Sequence, residues 1–178
     1  MLARLRQTSA LRTSLCWPEK SSSRTGYFKA NLYPEPFNTV TDWDAAAEAA
    51  TGFAKKDEYR IWLRTTRFRV MKSWIERCRP KLVIGAGLTH LADFLEITGT
   101  EEVPPAHTFE INGHAKRVHV AKSGTAPIAV VPHLSGGIHS LNSNQAIANA
   151  AEIIQTELGV LAIGRQGLET TSQPTFAA

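Results

Sequence analysis

The groups best placed to do chemistry lie between Ile128 and Asn144, in the run IAVVPHLSGGIHSLNSN. His133 offers an imidazole. Ser135, His139, Ser140, Asn142, Ser143 and Asn144 add a dense set of neutral hydrogen-bonding groups with few charges. Such a loop is suited to reading a polar partner. The same residues would serve a plainer purpose, with His133 tying off a strand end and the Ser/Asn cluster capping a helix. A second set is basic. From Lys55 to Lys81 there are ten Lys and Arg against Asp57, Glu58 and Glu76. Local basicity of this kind suits an anionic partner, and it equally suits an ordinary solvated helix face.

These groups need elements to hold them. Ile128 to Val131 is a short apolar, β-branched run bounded by turn formers, which reads as a buried strand. Pro132, Gly136 and Gly137 mark the loop. Asn142 or Ser143 is the expected N-cap of a helix over 143–158, with Ile147, Ala150, Ala151, Ile154 and Leu158 inward and Gly159 closing it. In open α/β sheets, ligands bind in loops at the carboxyl ends of strands, which is where His133 falls. The longest helix is expected over Asp57 to Arg79. At a uniform 100° per residue, Ile61, Leu63, Phe68, Val70, Met71, Trp74, Ile75 and Cys78 share one arc, opposite Arg69, Lys72, Glu76 and Arg79. Arg60, Arg64 and Arg67 lie on the apolar side in the first two turns. If this helix leads into a parallel strand, they fall at the carboxyl edge of the sheet, beside the His133 loop.

The rest of the chain supports an α/β domain. Gly26 to Pro34 (GYFKANLYP) reads as a short strand carrying Asn31 and stopped by Pro34 and Pro36. A short helix follows over 43–50, capped by Thr41 or Asp42 with Asp44 in its first turn, and Gly52 ends it. Pro80 breaks the long helix, and Lys81 to Gly87 (KLVIGAG) is a buried strand with a glycine turn. The next helix, 89–98, turns Leu91, Phe94 and Leu95 inward and Asp93 and Glu96 outward. Asn112-Gly113 between 107–111 and 117–122 is a hairpin signal, with His114 and His119 on its surface. Residues 1–25 read as a disordered or atypical leader, Arg-rich and acid-poor as mitochondrial presequences are. Residues 26–163 form the domain and 164–178 a flexible tail.

Several classes are excluded. A 178-residue chain that is 43% hydrophobic and 20% charged can bury a core and is not a disordered polymer. No apolar run is long enough to span a bilayer, so no membrane partner is expected and a cytoplasmic location is. Cys16 and Cys78 lack both ligand spacing and the arrangement of a disulfide scaffold. Gly85-Ala86-Gly87 is half of a dinucleotide fingerprint, but His90 stands where the third glycine would be. No phosphate-binding loop, HExxH motif or Ser-His-Asp signature occurs. Neither metal nor cofactor is therefore expected.

With these elements in order, residues 26–158 resemble the uracil-DNA glycosylase superfamily. GYFKANLYP is similar to the family's strand ending in an Asn that reads a flipped base. MKSWIERCRPKLVIGAG is similar to its helix, Pro and following strand. AVVPHLSGGIHSLNS is similar to its last strand and His-Pro-Ser loop. The resemblance implies a three-layer α/β/α fold with a short, mostly parallel central sheet. It further implies DNA as partner, recognition of a base and hydrolysis of its N-glycosidic bond. In that light His133 would stabilise charge on the departing base, and Asn31 would read the base edge. Leu141 would wedge the emptied stack, while Ser135 and Asn142 contact the substrate. Arg60, Arg64 and Arg67 would hold the phosphate backbone. The chain departs from the family in two ways. It reads His-Leu-Ser in place of His-Pro-Ser, and it lacks the first motif, which carries the water-positioning residue. Asp42 and Asp44 follow the Asn31 segment, but no motif assigns either to water. Two alternatives stand beside excision: a non-catalytic nucleic-acid or nucleotide-binding module, and a truncated family member without activity.

Overall fold

The computed structural model describes residues 27–34, 43–134 and 136–159. The chain divides into two compact units, residues 1–79 and 80–178.

The first unit is a helical segment with an irregular strand of chain along it. Helix α1 (Ala45–Thr51) is capped by Asp44, whose carboxylate accepts from Ala47 N at 2.8 Å, so the cap is Asp44 rather than Thr41 or Asp42. Gly52 closes it in the left-handed conformation. A longer helical run follows as α2 (Lys56–Leu63), a π turn (Arg64–Phe68) and α3 (Arg69–Cys78). The π turn explains a departure from the expected arc. Tyr59, Leu63, Phe68, Met71 and Ile75 are buried, whereas Ile61 is 63% and Val70 45% exposed. At a uniform 100° per residue, Tyr59 and Leu63 would point roughly 130° away from Phe68, Met71 and Ile75. A π turn winds less per residue and returns roughly 90° of that difference, which brings both sets onto one face. The hydroxyls of Thr65 and Thr66 both donate to Trp62 O, at 2.9 and 2.7 Å, where the ladder changes spacing. Residues 27–34 contain no β-strand, which corrects the expectation of a strand at 26–34. They are held by rings instead: Phe28 meets Trp74 edge-on at 5.6 Å, Tyr33 meets Phe68 at 5.7 Å, and Tyr59 Oη donates to Pro34 O.

Among the described residues, the second unit is a four-stranded mixed sheet with a helix on each face. The strands are β1 (Val83–Ala86), β2 (Ala106–Ile111), β3 (His114–Ala121) and β4 (Ile128–Val131), in the order β1-β4-β3-β2. Only β1 and β4 run parallel; β3–β4 and β2–β3 are antiparallel. The sheet is therefore mixed rather than mostly parallel. The physical reason is the hairpin: a two-residue Asn112-Gly113 turn, both at positive φ, can join only antiparallel neighbours. All four residues of β4 are buried because both faces are covered. Ala129 and Val131 pack with Val118, Val120 and helix α5 (Asn144–Leu158); Ile128 and Val130 pack with Leu95 and Phe94 of helix α4 (Leu91–Thr98). Gly85 lies under the Phe94 ring, which a Cβ would approach to 2.7 Å, so the strand and helix meet closely only because position 85 has no side chain. Helix α5 is capped by Ser143, whose Oγ accepts from Ala146 N at 3.2 Å, and Gly159 ends it. Its inner stripe is Ala146, Ala150 and Ile154; Ile147 and Ala151 are exposed, against expectation.

Candidate functional site

The candidate site of the second unit is the carboxyl edge of the parallel pair β1–β4. The ladder runs one bond past the strands: Gly87 N donates to Val131 O at 2.8 Å. Pro132 is buried and His133 follows it onto the surface. Two contacts hold His133. Its carbonyl accepts from Leu141 N at 2.7 Å, which closes the loop on itself. Its ring lies against the α-carbon of Gly87, where a Cβ would come within 2.8 Å of Cε1 and 2.9 Å of Nε2. Gly87 has φ +117°, so glycine is needed there for both backbone and space. The two glycines of the Gly-Ala-Gly turn differ in role: Gly85 lets the strand and helix α4 meet closely, whereas Gly87 is the seat of the imidazole. The signal was the pairing of two strands that each end in a turn: parallel partners place their turns side by side.

The loop from Leu134 to Ser143 is tied to the hairpin. Lys116 is 3% exposed, and its Nζ donates to Ile138 O at 2.8 Å. His139 Nδ1 donates to Ala115 O at 3.3 Å, and its ring stands edge-on to that of His114, 6.4 Å away. The Ser140 hydroxyl donates to Gly137 O. These ties leave Leu134 and Ile138 outward, 59% and 55% exposed. Leu141 is 2% exposed and belongs to the core beneath α5. It is not an apolar tip, because a residue two places before the N-cap is drawn under the helix it precedes. Asn142 is exposed, and Ser135 lies outside the described residues.

Asn31, Arg60, Arg64 and Arg67 belong to the first unit, and the structure brings them together. Arg67 donates to Asn31 O from Nε and Nη2, at 3.1 and 2.8 Å. The guanidinium groups of Arg60 and Arg64 lie over the rings of Tyr33 and Phe68, at 5.5 and 5.9 Å. Such contacts stabilise by roughly 0.5–1 kcal/mol where exposed. They explain why these arginines sit on the apolar side of the helix: the aromatic faces receive them.

Asp93, expected outward, is buried at 7% exposure, with Oδ2 3.2 Å from Nδ1 of His90. A groove of about 340 Å³ between β2 and α5 is lined by His107, Glu152 and Glu157 among others, and the two carboxylates make it unsuited to an anionic ligand. Among the described residues, no cluster of His, Cys, Asp or Glu is arranged to hold a metal ion, and no helix is long and apolar enough to cross a membrane. The chain matches no family model, no curated protein and no solved structure.

Proposed function

We propose that the chain recognises a base in DNA and cleaves its N-glycosidic bond, on an α/β domain of the three-layer glycosylase kind. The observation that carries this reading is the seating of His133 against Gly87 at the carboxyl end of the central strand. An exposed imidazole held from both its backbone and its ring is a preorganised donor. Aimed at an oxygen of the departing base, it stabilises the charge that develops as the bond breaks. Leu134 and Ile138, exposed on the same tied loop, offer apolar side chains to fill the space that a flipped nucleotide leaves. They take the part first given to Leu141. Asn142 and Ser135 remain candidates for polar substrate contacts, Asn31 for the base edge, and Arg60, Arg64 and Arg67 for phosphates. DNA as partner and a cytoplasmic site of action go with this reading.

The test is incubation with a labelled oligonucleotide carrying one uracil, followed by alkali. Strand cleavage is expected. His133→Ala should lower the rate by about 10²–10³-fold, the scale of losing one oxyanion donor. No cleavage by folded protein that binds the oligonucleotide would overturn excision. Salt-sensitive binding without product would identify a nucleic-acid-binding module instead.

A further inference from the structure

Hydrolysis needs a group that takes a proton from water, and nothing assigned so far does this. We infer that His90, oriented by Asp93, is that group; the inference rests on the function proposed above. Asp93 Oδ2 lies 3.2 Å from His90 Nδ1, and the two side chains are 10% and 31% exposed. A carboxylate that accepts from Nδ1–H fixes the imidazole in the tautomer with its lone pair on Nε2. It also stabilises the imidazolium once a proton arrives. This is the base-and-orienter arrangement of general base catalysis.

His90 occupies the N-cap of α4 but makes no side-chain capping bond, and the position favours Ser, Thr, Asp or Asn. The Asp93 carboxylate is withdrawn from water, which is unfavourable unless a partner offsets it, and it meets the ring of His90.

Position ties the pair to His133. The 3-10 turn Leu88–His90 leaves directly from Gly87, and His90 N donates to Gly87 O at 3.1 Å. The ring of His133 rests on the α-carbon of that same glycine. One hydrogen bond, two covalent bonds and one contact therefore separate the His90 backbone nitrogen from the His133 ring, a span of at most about 10 Å. That is the scale of one nucleoside. With the base oxygen at His133, water attacks C1′ as the N-glycosidic bond breaks. The bonding pair leaves with the base, and the water proton passes to Nε2 of His90.

The test measures single-turnover cleavage of the uracil oligonucleotide, and its binding, for His90→Ala, His90→Asn, Asp93→Asn and the His90→Ala/Asp93→Asn double variant. His90→Asn keeps a side-chain donor towards Asp93 but has no basic nitrogen, so it controls for folding. Both His90 variants should lose about 10²–10⁴-fold in rate, with binding within about twofold. Added imidazole should restore part of the rate to His90→Ala and none to His133→Ala. Asp93→Asn should slow the wild-type background and have no further effect once His90 is Ala, because Asp93 acts through the ring. Folded His90→Asn that cleaves within about threefold of wild type, while His133→Ala is inactive, would overturn the inference and leave the proposed function standing. Wild-type protein that binds without product would overturn both.

Discussion

In the described residues of 80–159 a ladder between strands distant in sequence joins the segments; in 27–34 and 43–79 each helix sets its own side chains locally, and the segments are joined by side chains. Val131 is paired to Ala86, and the next bond joins Gly87 to Val131, so His133 inherits its position from the sheet. The first unit has no described strand. Its order comes from rings meeting rings, such as Trp43 and Phe53 against Tyr59 at 5.5 and 5.6 Å, and from Trp43 Nε1 donating to Phe53 O at 2.8 Å. Its arginines are part of that lattice. A group fixed by a ladder can be aimed at a substrate without being consumed as structure. Groups that hold a segment together, as Arg67 holds Asn31, have less freedom to leave it for a ligand.

If the ladder is what orders the second unit, a charge in its centre should have the largest effect. Val130 is fully buried on β4 between β1 and β3. Val130→Asp places an unpaired carboxylate there and should cost more than about 4 kcal/mol. The cooperative denaturant transition of residues 80–159 is expected to disappear, while far-ultraviolet helical signal from 56–78 persists. A transition retained at near wild-type midpoint would refute the ladder account.

The glycines sharpen the comparison within that unit. Gly87 and Gly136 have nearly the same backbone, φ +117° and +110°, but only Gly87 has an atom in the path of a Cβ. Gly136→Ala should cost only backbone strain, of order 1–3 kcal/mol. Gly87→Ala should cost that and roughly 1–3 kcal/mol more for displacing the His133 ring. Thermal melts of the two variants measure the difference, and the His133 ring resonances should move only in Gly87→Ala. Equal melting temperatures would mean that the ring is not seated on Gly87.

What was legible in the sequence follows the same division. The hairpin, β4, the Gly159 stop and the Ser143 cap are local events with local chemistry, and each could be placed from a few neighbouring residues. Strand direction was not local. Nothing in the Val118–Ala121 stretch says that it runs against β4; the short link over 122–127 does, because parallel neighbours need a crossover of about a dozen residues or more. His133 stood out by its place after a buried run, but Gly87 as its seat depended on a parallel pairing 45 residues apart in number, Ala86 with Val131. Asp93 was misplaced because helical periodicity treats a carboxylate as outward, and His90 supplies a reason for it to be inward. The first unit was least legible, because ring contacts have no period.

A middle-sized effect is expected at Lys116. Its buried ammonium is the tie from the hairpin to Ile138 O. Lys116→Met keeps the stem and removes the donor, leaving the carbonyl without its partner at roughly 1–3 kcal/mol. Amide exchange in 134–140 should quicken by at least about tenfold, while exchange in β3 and β4 stays within about threefold. Uniform acceleration would show that Lys116 supports the sheet rather than the loop.

The smallest effect is expected from removing a whole residue. A π turn carries one more residue than the α-helical path it replaces. Five steps at roughly 82° turn the chain through nearly the same angle as four steps at about 100°. Deleting Thr65 should therefore let Arg64–Phe68 close as ordinary α-helix and leave Phe68, Met71 and Ile75 facing Tyr59 and Leu63 as before. The loss is the Thr65 hydroxyl bond to Trp62 O, and the expected change is within about 1 kcal/mol. Deleting Lys72 removes the same length of chain from regular helix. It rotates Ile75 about 100° off the buried face and should cost at least the roughly 2–5 kcal/mol of truncating a buried aliphatic side chain. If both deletions destabilise equally, the π turn is not a register correction. If only Lys72 matters, a single inserted residue is what joins two apolar stripes that a regular helix would hold apart.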